Sequence, residues 1–216
     1  MRKLVCVLVV VVIFGGAGQL RANLLVNGSF EQGTFVPNIA AGAMSLDPGS
    51  TAITGWTTFN AELTWDDNAN NFSVSASDGL KCLDLTGYHD SFPFGGIEQS
   101  IATTVGQVYH LAFDLGTNPI YGEPTLTAFA GGNSFGFTFN PPGVGMQWQR
   151  CGFDFTATSD NSLIGFVGNS PSWADIGLDN VSVTANSVPE PSNLLIWSLL
   201  GGFGIALASW RRKRAA

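Results

Sequence analysis

The chain has 216 residues, of which 45% are hydrophobic and only 12% are charged, about half the charged fraction of an average soluble protein. This composition excludes an intrinsically disordered chain and is not typical of a helical bundle, whose exposed faces are rich in Glu, Lys and Arg. The formal net charge of −7 is unevenly distributed, since Asn23–Ser187 contains only Lys81 and Arg150 against 15 acidic residues. Such an acidic region repels phosphate groups, which excludes nucleic acid as a partner.

The first predicted element is a secretory signal peptide at residues 1–22. A basic start precedes an apolar stretch at 4–14, and small residues follow up to Ala22. A helix of that apolar length covers about 16 Å, which is too short for a bilayer core of about 30 Å. We therefore expect an N-terminal signal helix, cleavage after Ala22 and export of the remaining chain. An N-terminal membrane anchor is the alternative.

Alternating apolar and polar residues, the pattern of half-buried strands, dominate the interior of the chain. Within 108–115, for example, Tyr109, Leu111 and Phe113 share one face. Turn residues separate the candidate strands, which lie at Leu24–Phe30, Ala61–Trp65, Lys81–Leu85, Gly96–Ile101, 108–115, Leu126–Ala130, 135–139, 153–155, Leu163–Val167 and Ile176–Val183. A long loop is expected at Phe35–Ser50. This spacing predicts an all-β, two-sheet β-sandwich at residues 23–185.

The last predicted elements are a linker at 186–193, a single transmembrane helix at 194–210 and a basic cytoplasmic tail at 211–216. The apolar stretch is near the lower length limit for spanning a bilayer. The basic cluster is expected to stay in the cytoplasm by the positive-inside rule, and it consists of Arg211, Arg212, Lys213 and Arg214. The domain ahead of the helix is therefore expected outside the inner membrane.

This C-terminal segment resembles the PEP-CTERM sorting signal of Gram-negative bacteria. The order of Pro189-Glu190-Pro191, apolar helix and Arg-rich end carries the resemblance. It implies that the helix anchors the precursor in the inner membrane and that an exosortase-type membrane protease recognises the Pro-Glu-Pro motif. The mature protein then reaches the cell surface or the extracellular matrix. A plain C-terminal membrane anchor is the alternative.

The interior motifs also follow a recognisable order. The region opens with Asn-Gly-Ser-Phe-Glu at 27–31, closes with Gly-Leu-Asp-Asn-Val-Ser-Val at 177–183, and carries further motifs at 53–56, 79–85, 96–100, 106–113 and 153–157. This order resembles the galactose-binding-like jelly roll, in particular a plant cell-wall family of unknown function and carbohydrate-binding modules of families 4 and 22. The resemblance covers 23–185 and implies a jelly-roll sandwich that binds polysaccharide.

A structural calcium site is a further implication of this resemblance. In the similar modules, Ca²⁺ sits where the first and last strands meet, and the matching positions here are Glu31, Asp78, the Lys81 backbone and Asp179. Ca²⁺ takes six to eight oxygen ligands, and a cation offsets the repulsion within an acidic domain. Carboxylates that are solvated or bound to turn amides are the alternative.

Loop aromatics are the candidates for sugar binding, because sugars stack their apolar faces on aromatic rings. Tyr88, Tyr121 and Trp173 lie in predicted loops. A concave site forms if they converge with neighbouring polar residues, for which the candidates are Asp90, Asn118 and Gln99.

No catalytic site is predicted. The nearest carboxylate pair is Asp66-Asp67, and adjacent strand residues point to opposite faces, so the pair is poorly placed to flank one glycosidic bond. We therefore expect a non-enzymatic, exported protein that binds polysaccharide. The alternatives are a structural or adhesive matrix component without a defined sugar and an extracellular glycan hydrolase.

Two cysteines remain after signal removal, Cys82 and Cys151. An even pair in an exported domain favours a disulfide. Strand alternation gives the two residues different faces, so two separate thiols are the alternative.

Overall fold

The computed structural model describes residues 22–72, 74–169, 175–186 and 201. Except for Ala22, the predicted signal peptide lies outside the described residues, as do the Pro-Glu-Pro motif, the basic tail and Trp173. Of the predicted transmembrane helix, only Gly201 is described. Among the described residues, no helix combines the length and the apolar character needed to cross a bilayer.

The described part of the chain contains eleven strands, which form two antiparallel sheets. The strands are β1 (Ala43–Leu46), β2 (Thr57–Phe59), β3 (Leu63–Asp67), β4 (Lys81–Asp84), β5 (Gly96–Ala102), β6 (Val108–Thr117), β7 (Thr125–Ala130), β8 (Asn133–Thr138), β9 (Gln147–Thr156), β10 (Asn161–Gly168) and β11 (Gly177–Ala185). One sheet has the order β1-β3-β4-β11-β6-β9 and the other β2-β5-β10-β7-β8. The predicted all-β, two-sheet sandwich is therefore confirmed.

The core lies between the two sheets, where alternating strand residues meet. Phe113 of β6 packs edge-on against Phe166 of β10 with ring centroids 4.9 Å apart, and both side chains are fully buried. Each fully buried aromatic of this kind contributes about 1.5–3 kcal/mol. Among the described residues, every buried member of the core cluster lies within 25–183, so residues 23–186 contain the described core of the sandwich.

The structure corrects the predicted strands at the N-terminal side. Residues 24–30 form bends and a turn rather than a strand, because Asn27 and Phe30 have φ angles of 56° and 57° that interrupt extended backbone. Ala43–Leu46, expected within the loop Phe35–Ser50, forms β1 and pairs with β3. Its first and last side chains are buried, and this burial stabilises a strand too short to show a clear alternation.

The register of the six-stranded sheet places polar side chains on its outer face. Thr64 of β3 pairs with Asp84 of β4, and Asp66 pairs with Cys82. Cross-strand partners share a face and residues two apart share a face. All four side chains therefore point away from the core, yet all four are buried. The segment that follows β3 covers part of this face, since Val74 is also buried.

The predicted disulfide is wrong, because Cys82 and Cys151 are free thiols. Strands β11 and β6 lie between β4 and β9 in the sheet, so the two cysteines are three strand spacings, or about 14 Å, apart. A disulfide needs Cα atoms within about 7 Å of each other. Burial, with nearby carboxylates as a second cause, raises the pKa of the Cys82 thiol.

Candidate ligand pocket

A cavity of about 240 Å³ opens on the outer face of the six-stranded sheet, at β3 and β4. Its lining combines aromatic and acidic side chains, and consists of Thr64, Asp66, Phe72, Val74, Asp84, Gly87, Tyr88, Asp90, Tyr121 and Asp175. The volume is somewhat below the range of about 300–1,000 Å³ for drug-sized ligands. It suits a small polar group or one unit of a larger molecule.

Three exposed aromatic side chains form the rim of the cavity, namely Phe72, Tyr88 and Tyr121. Phe72 and Tyr88 are ring neighbours, with centroids 6.2 Å apart. Tyr88 is 48% exposed and Tyr121 is 41% exposed, so both rings remain available to a ligand. Aromatic rings that are neither buried nor isolated are typical of binding surfaces.

Short polar contacts hold the rim segments in place. The Asn70 side chain donates hydrogen bonds to the carbonyls of Asp67 and Val74, each at 2.7 Å, and accepts one from the Phe72 amide at 2.8 Å. Asn118 caps the 3-10 turn Pro119–Tyr121 by accepting from the Ile120 amide. Asn and Asp form such local bonds readily, which is why these loops are ordered without regular structure.

The loop that carries Tyr88 is fixed by Glu62. Glu62 Oε1 accepts from the His89 amide at 2.9 Å and lies 2.5 Å from His89 Nδ1. Burial alone raises the pKa of Glu62, but the hydrogen bonds from His89 and Ser45 outweigh it and lower the pKa. The loop is thereby anchored beside β3.

The floor of the cavity is acidic, and Asp84 is its central group. Asp84 is 7% exposed, and its Oδ1 accepts from the Thr86 amide at 3.0 Å, from the Thr86 hydroxyl and from the Ile176 amide at 2.9 Å. Among the described residues, every hydrogen bond to the Asp84 carboxylate goes to this one oxygen. Carboxylate oxygens of Asp84, Asp90 and Asp175 lie within 4.8 Å of one another.

Asp66 adds a fourth carboxyl group, which is 2% exposed. Its Oδ2 accepts from the Thr64 hydroxyl at 2.8 Å. Its Oδ1 is buried with no hydrogen-bond partner among the described residues. A buried oxygen without a partner costs about 1–3 kcal/mol, and more when it is charged.

Burial raises the pKa values of all four carboxyl groups, and nearby carboxylates raise them further. Burial, with the Asp84 charge as a second cause, raises the pKa of Asp66 to about 7. Burial is also the main cause that raises the pKa of Asp84, although hydrogen bonds to Oδ1 act in the opposite direction. Burial and the neighbouring carboxylates raise the pKa of Asp175, and burial raises that of Asp90. Groups with such shifts in a cavity indicate a functional site.

The structure brings part of the predicted sugar site together. Tyr88, Tyr121 and Asp90 line the same cavity, while Trp173 lies outside the described residues. Gln99 is engaged elsewhere, since its side-chain oxygen accepts from the Val26 amide at 2.8 Å and its side-chain nitrogen donates to the Val26 carbonyl at 2.9 Å. Asn118 is the turn cap described above. The role of the two tyrosines in binding stays a prediction.

The residues predicted to bind calcium also converge, around the turn at 77–81. Asp179 is fully buried, and its Oδ2 accepts from the amides of Ser77 and Asp78 at 2.7 and 2.9 Å. Glu31 Oε1 accepts from the amide of Lys81 at 2.7 Å, and its Oε2 lies 3.8 Å from the Lys81 ammonium. Protein donors therefore engage the oxygens of Glu31 and Asp179, as in the turn-amide alternative. Calcium binding by these residues stays a prediction.

Sequence reasoning missed Asp66, Asp84 and Asp175 as members of the site. One signal could have identified two of them. Leu63 and Trp65, like Leu83 and Leu85, alternate with Thr64, Asp66 and Asp84, which places these carboxylates together on the non-core faces of β3 and β4. Asp175 lies just before β11, and only the sheet order β4-β11 brings it beside Asp84.

The family described as "Protein of unknown function (DUF642)" matches residues 23–183. A segment of Halomucin from Haloquadratum walsbyi is 29% identical over 183 residues, which make up 83% of this chain and 2% of that protein. The chain thus spans a very small part of this curated relative.

Several solved carbohydrate-binding modules are weakly similar. A family 35 module from Clostridium thermocellum is 17% identical with a TM-score of 0.45, covering 65% of this chain and 97% of that one. TmCBM61, solved with β-1,4-galactotriose, is 18% identical with a TM-score of 0.43, covering 76% and 99%. The CBM22-1 xylan-binding domain from Paenibacillus barcinonensis is 13% identical with a TM-score of 0.40, covering 69% and 96%. Likenesses this weak carry no ligand over, so function has to be inferred from the pocket.

Proposed function

The chain belongs to the DUF642 family of proteins of unknown function, and from this starting point we propose that it binds a neutral polysaccharide without cleaving it. The observation that carries the proposal is the cavity in which exposed Tyr88 and Tyr121 rings stand beside a floor of carboxyl groups. Aromatic rings can stack on the apolar faces of a sugar, and carboxyl oxygens can accept hydrogen bonds from its hydroxyl groups. A sugar-binding site uses both kinds of contact.

The charge of the floor selects the class of glycan. Asp66, Asp84 and Asp175 share the cavity, and the only Lys and Arg side chains among the described residues, Lys81 and Arg150, are paired with other carboxylates. An anionic sugar is repelled by such a floor. A neutral sugar can donate hydrogen bonds to these oxygens without charge repulsion, and those to an ionised carboxylate are about twice as strong as neutral ones.

The arrangement does not favour hydrolysis. Glycosidases place two carboxyl groups on either side of the scissile bond, about 5–5.5 Å or 6.5–9.5 Å apart. Here one oxygen each of Asp84, Asp90 and Asp175 lies within 4.8 Å of the others, which is shorter than either of these separations. Asp67, the partner in the adjacent pair, caps the Ala69 amide outside the cavity.

A glycan array tests the proposal with a protein of residues 23–186. We expect binding to neutral polysaccharides, and at least a tenfold loss of affinity in Tyr88→Ala and Tyr121→Ala, the size of a moderate interface hot spot. Phe135→Ala removes a similarly exposed ring on the other sheet and should bind as the unsubstituted protein does. Absence of glycan binding, binding unaffected by both tyrosine substitutions, or release of reducing ends from a bound glycan would each contradict it.

We further propose that the chain is exported and sorted to the cell surface or extracellular matrix of a Gram-negative bacterium. The basic and apolar pattern of residues 1–22 and the order of Pro189-Glu190-Pro191, apolar stretch and basic end support this proposal. An exosortase-type membrane protease is the proposed partner, with the inner membrane holding the precursor.

Replacing Pro189, Glu190 and Pro191 by alanine tests the sorting step. We expect the precursor to accumulate in the inner membrane, because the motif is lost while the apolar stretch and basic end remain. Ser192→Ala is the matched control and should reach the surface fraction. Processing and surface localisation unaffected by the triple substitution would contradict the sorting proposal.

A further inference from the structure

Three carboxylate groups converge in the pocket, and among the described residues neither Lys81 nor Arg150 forms an ion pair with them. Oxygens of Asp84, Asp90 and Asp175 lie within 4.8 Å of one another. Oxygens bound to one Ca²⁺ at 2.3–2.6 Å lie at most about 5 Å apart. The three groups therefore already occupy the space that ligands of a single ion occupy.

Asp66 provides a second and independent observation. This side chain lines the same cavity and is 2% exposed, yet its Oδ1 has no partner among the described residues. In folded proteins, nearly all buried polar atoms are paired with protein groups, water or an ion. An unpaired carboxylate oxygen beside three further carboxylates indicates a positively charged ligand in the cavity.

The carboxylate pair Asp114 and Asp179 on the same sheet face provides a contrast, because protein side chains pair with its oxygens. Asp114 and Asp179 are cross-strand neighbours, and Arg150 lies 3.1 Å from Asp114 Oδ1. The side chains of Ser77 and Asn180 donate to Asp114 Oδ2 at 2.7 and 3.0 Å. Asp84 also accepts three hydrogen bonds, but all of them reach Oδ1 and none comes from a cationic side chain, and within the described part of the chain Asp66 Oδ1 accepts none.

We propose that the floor of the pocket is a divalent-cation site that takes Ca²⁺, held by Asp84, Asp90 and Asp175 with Asp66 as the fourth acidic neighbour. This site lies among different side chains from the calcium site that the sequence predicts at Glu31 and Asp179. This proposal goes beyond the proposed function, because it assigns a cation to the pocket and does not depend on sugar binding.

The chemistry of the donors selects the ion. All four side chains offer oxygen, which suits hard cations such as Ca²⁺ rather than Zn²⁺ or Cu²⁺. The nearby imidazole of His89 is committed to Glu62 at 2.5 Å. Asp90 is exposed to solvent, so water can complete the flexible coordination that Ca²⁺ tolerates and Mg²⁺ does not.

Calcium titration of residues 23–186, followed by calorimetry at pH 7.5 with no sugar present, tests the site. We expect one equivalent to bind with a Kd in the range of about 10⁻⁴–10⁻³ M typical of extracellular modules, and Mg²⁺ to bind at least tenfold more weakly. Asp90→Asn and Asp175→Asn should each weaken Ca²⁺ binding at least tenfold. Since Asp90 is exposed, its substitution should leave the fold intact, which circular dichroism verifies.

Two control variants test whether Ca²⁺ binds in the pocket rather than elsewhere on the acidic domain. Asp160→Asn removes an equal charge from an exposed turn and should leave the titration unchanged. Glu31→Gln should also leave it unchanged. Absence of Ca²⁺ binding would overturn the proposal, and so would binding that is lost in Glu31→Gln but kept in Asp90→Asn and Asp175→Asn. Failure of the glycan array leaves this test unaffected, since no sugar takes part in it.

Discussion

Asp66 shows how one residue can reveal a site. Its strand neighbours Leu63 and Trp65 are fully buried in the core, and alternation turns Asp66 to the outer face. The Asp66 side chain is nevertheless buried on this outer face. Its Oδ2 accepts a hydrogen bond from the Thr64 hydroxyl, and its Oδ1 has no partner among the described residues. In the absence of a bound cation, such a group opposes folding, because its charge is desolvated without compensation.

Asp66→Asn should therefore stabilise the metal-free protein at pH 8. The amide has nearly the same shape and removes a buried charge, so we expect the free energy of unfolding to rise by about 1–3 kcal/mol. Urea unfolding in EDTA measures this change. Asp47→Asn, at an exposed turn position, should have no effect. A loss of stability in Asp66→Asn under these conditions would show that the charge is already compensated.

Among the elements, the segment 23–30 differs most from the predicted structure, because it lies beside β11 without forming a strand. It packs along β11 through side-chain as well as backbone bonds, since Asn23 bonds the carbonyl of Val181 and the amide of Val183 at 3.0 and 2.9 Å. The Val181 amide donates to the Gly28 carbonyl at 2.8 Å. The segment is thus tied to the strand that begins beside the pocket.

Gly28→Ala should break this attachment. A Cβ at residue 28 would lie 2.0 Å from the Val181 carbonyl oxygen and 3.2 Å from the Asn23 side-chain nitrogen, and the Val181 backbone cannot move away without disturbing β11. We expect a loss of more than about 2 kcal/mol in the free energy of unfolding, measured by thermal or urea denaturation. Gly136→Ala on β8 meets nothing within 4 Å and serves as the matched control. Equal stabilities for the two variants would refute the close contact.

For the whole molecule, the pocket carboxylates connect stability to pH. Folding raises the pKa of Asp66 to about 7, and raises those of Asp84 and Asp175 above the usual 3.8, chiefly through burial. The folded state therefore holds protons that the unfolded state has released. The stabilisation that these groups provide is therefore complete below about pH 4, and it falls as the pH rises from there to about 7–8, by about 1.4 kcal/mol per pH unit for each proton that differs.

Unfolding of the metal-free protein between pH 5 and pH 8 measures this dependence. We expect the free energy of unfolding to decrease across this range, and Ca²⁺ to restore it most at pH 8, where the carboxylates are ionised and a cation replaces the lost protons. In Asp66→Asn the slope should be shallower. Stability that increases from pH 5 to pH 8 without metal would contradict the raised pKa values.

The sequence predicted the sandwich because the signal for it is local. Alternation in residues such as Tyr109, Leu111 and Phe113 reflects a period of two that a single strand carries, and the structure buries these side chains as expected. The same local rule failed for 24–30 and for β1. Left-handed residues and tertiary burial decide those segments, and neither can be read from a few neighbouring side chains.

What the sequence determined by itself is therefore the fold class, the acidic character of the domain and the loop positions of Tyr88 and Tyr121. Only the tertiary structure decided that these tyrosines share a cavity with Asp66, Asp84, Asp90 and Asp175, and that Cys82 and Cys151 stay apart. The reason is that strand order and register bring together residues far apart in the chain, as β11 does when it places Asp175 beside β4. Periodicity determines the face on which a side chain lies, whereas the sheet topology determines its neighbours.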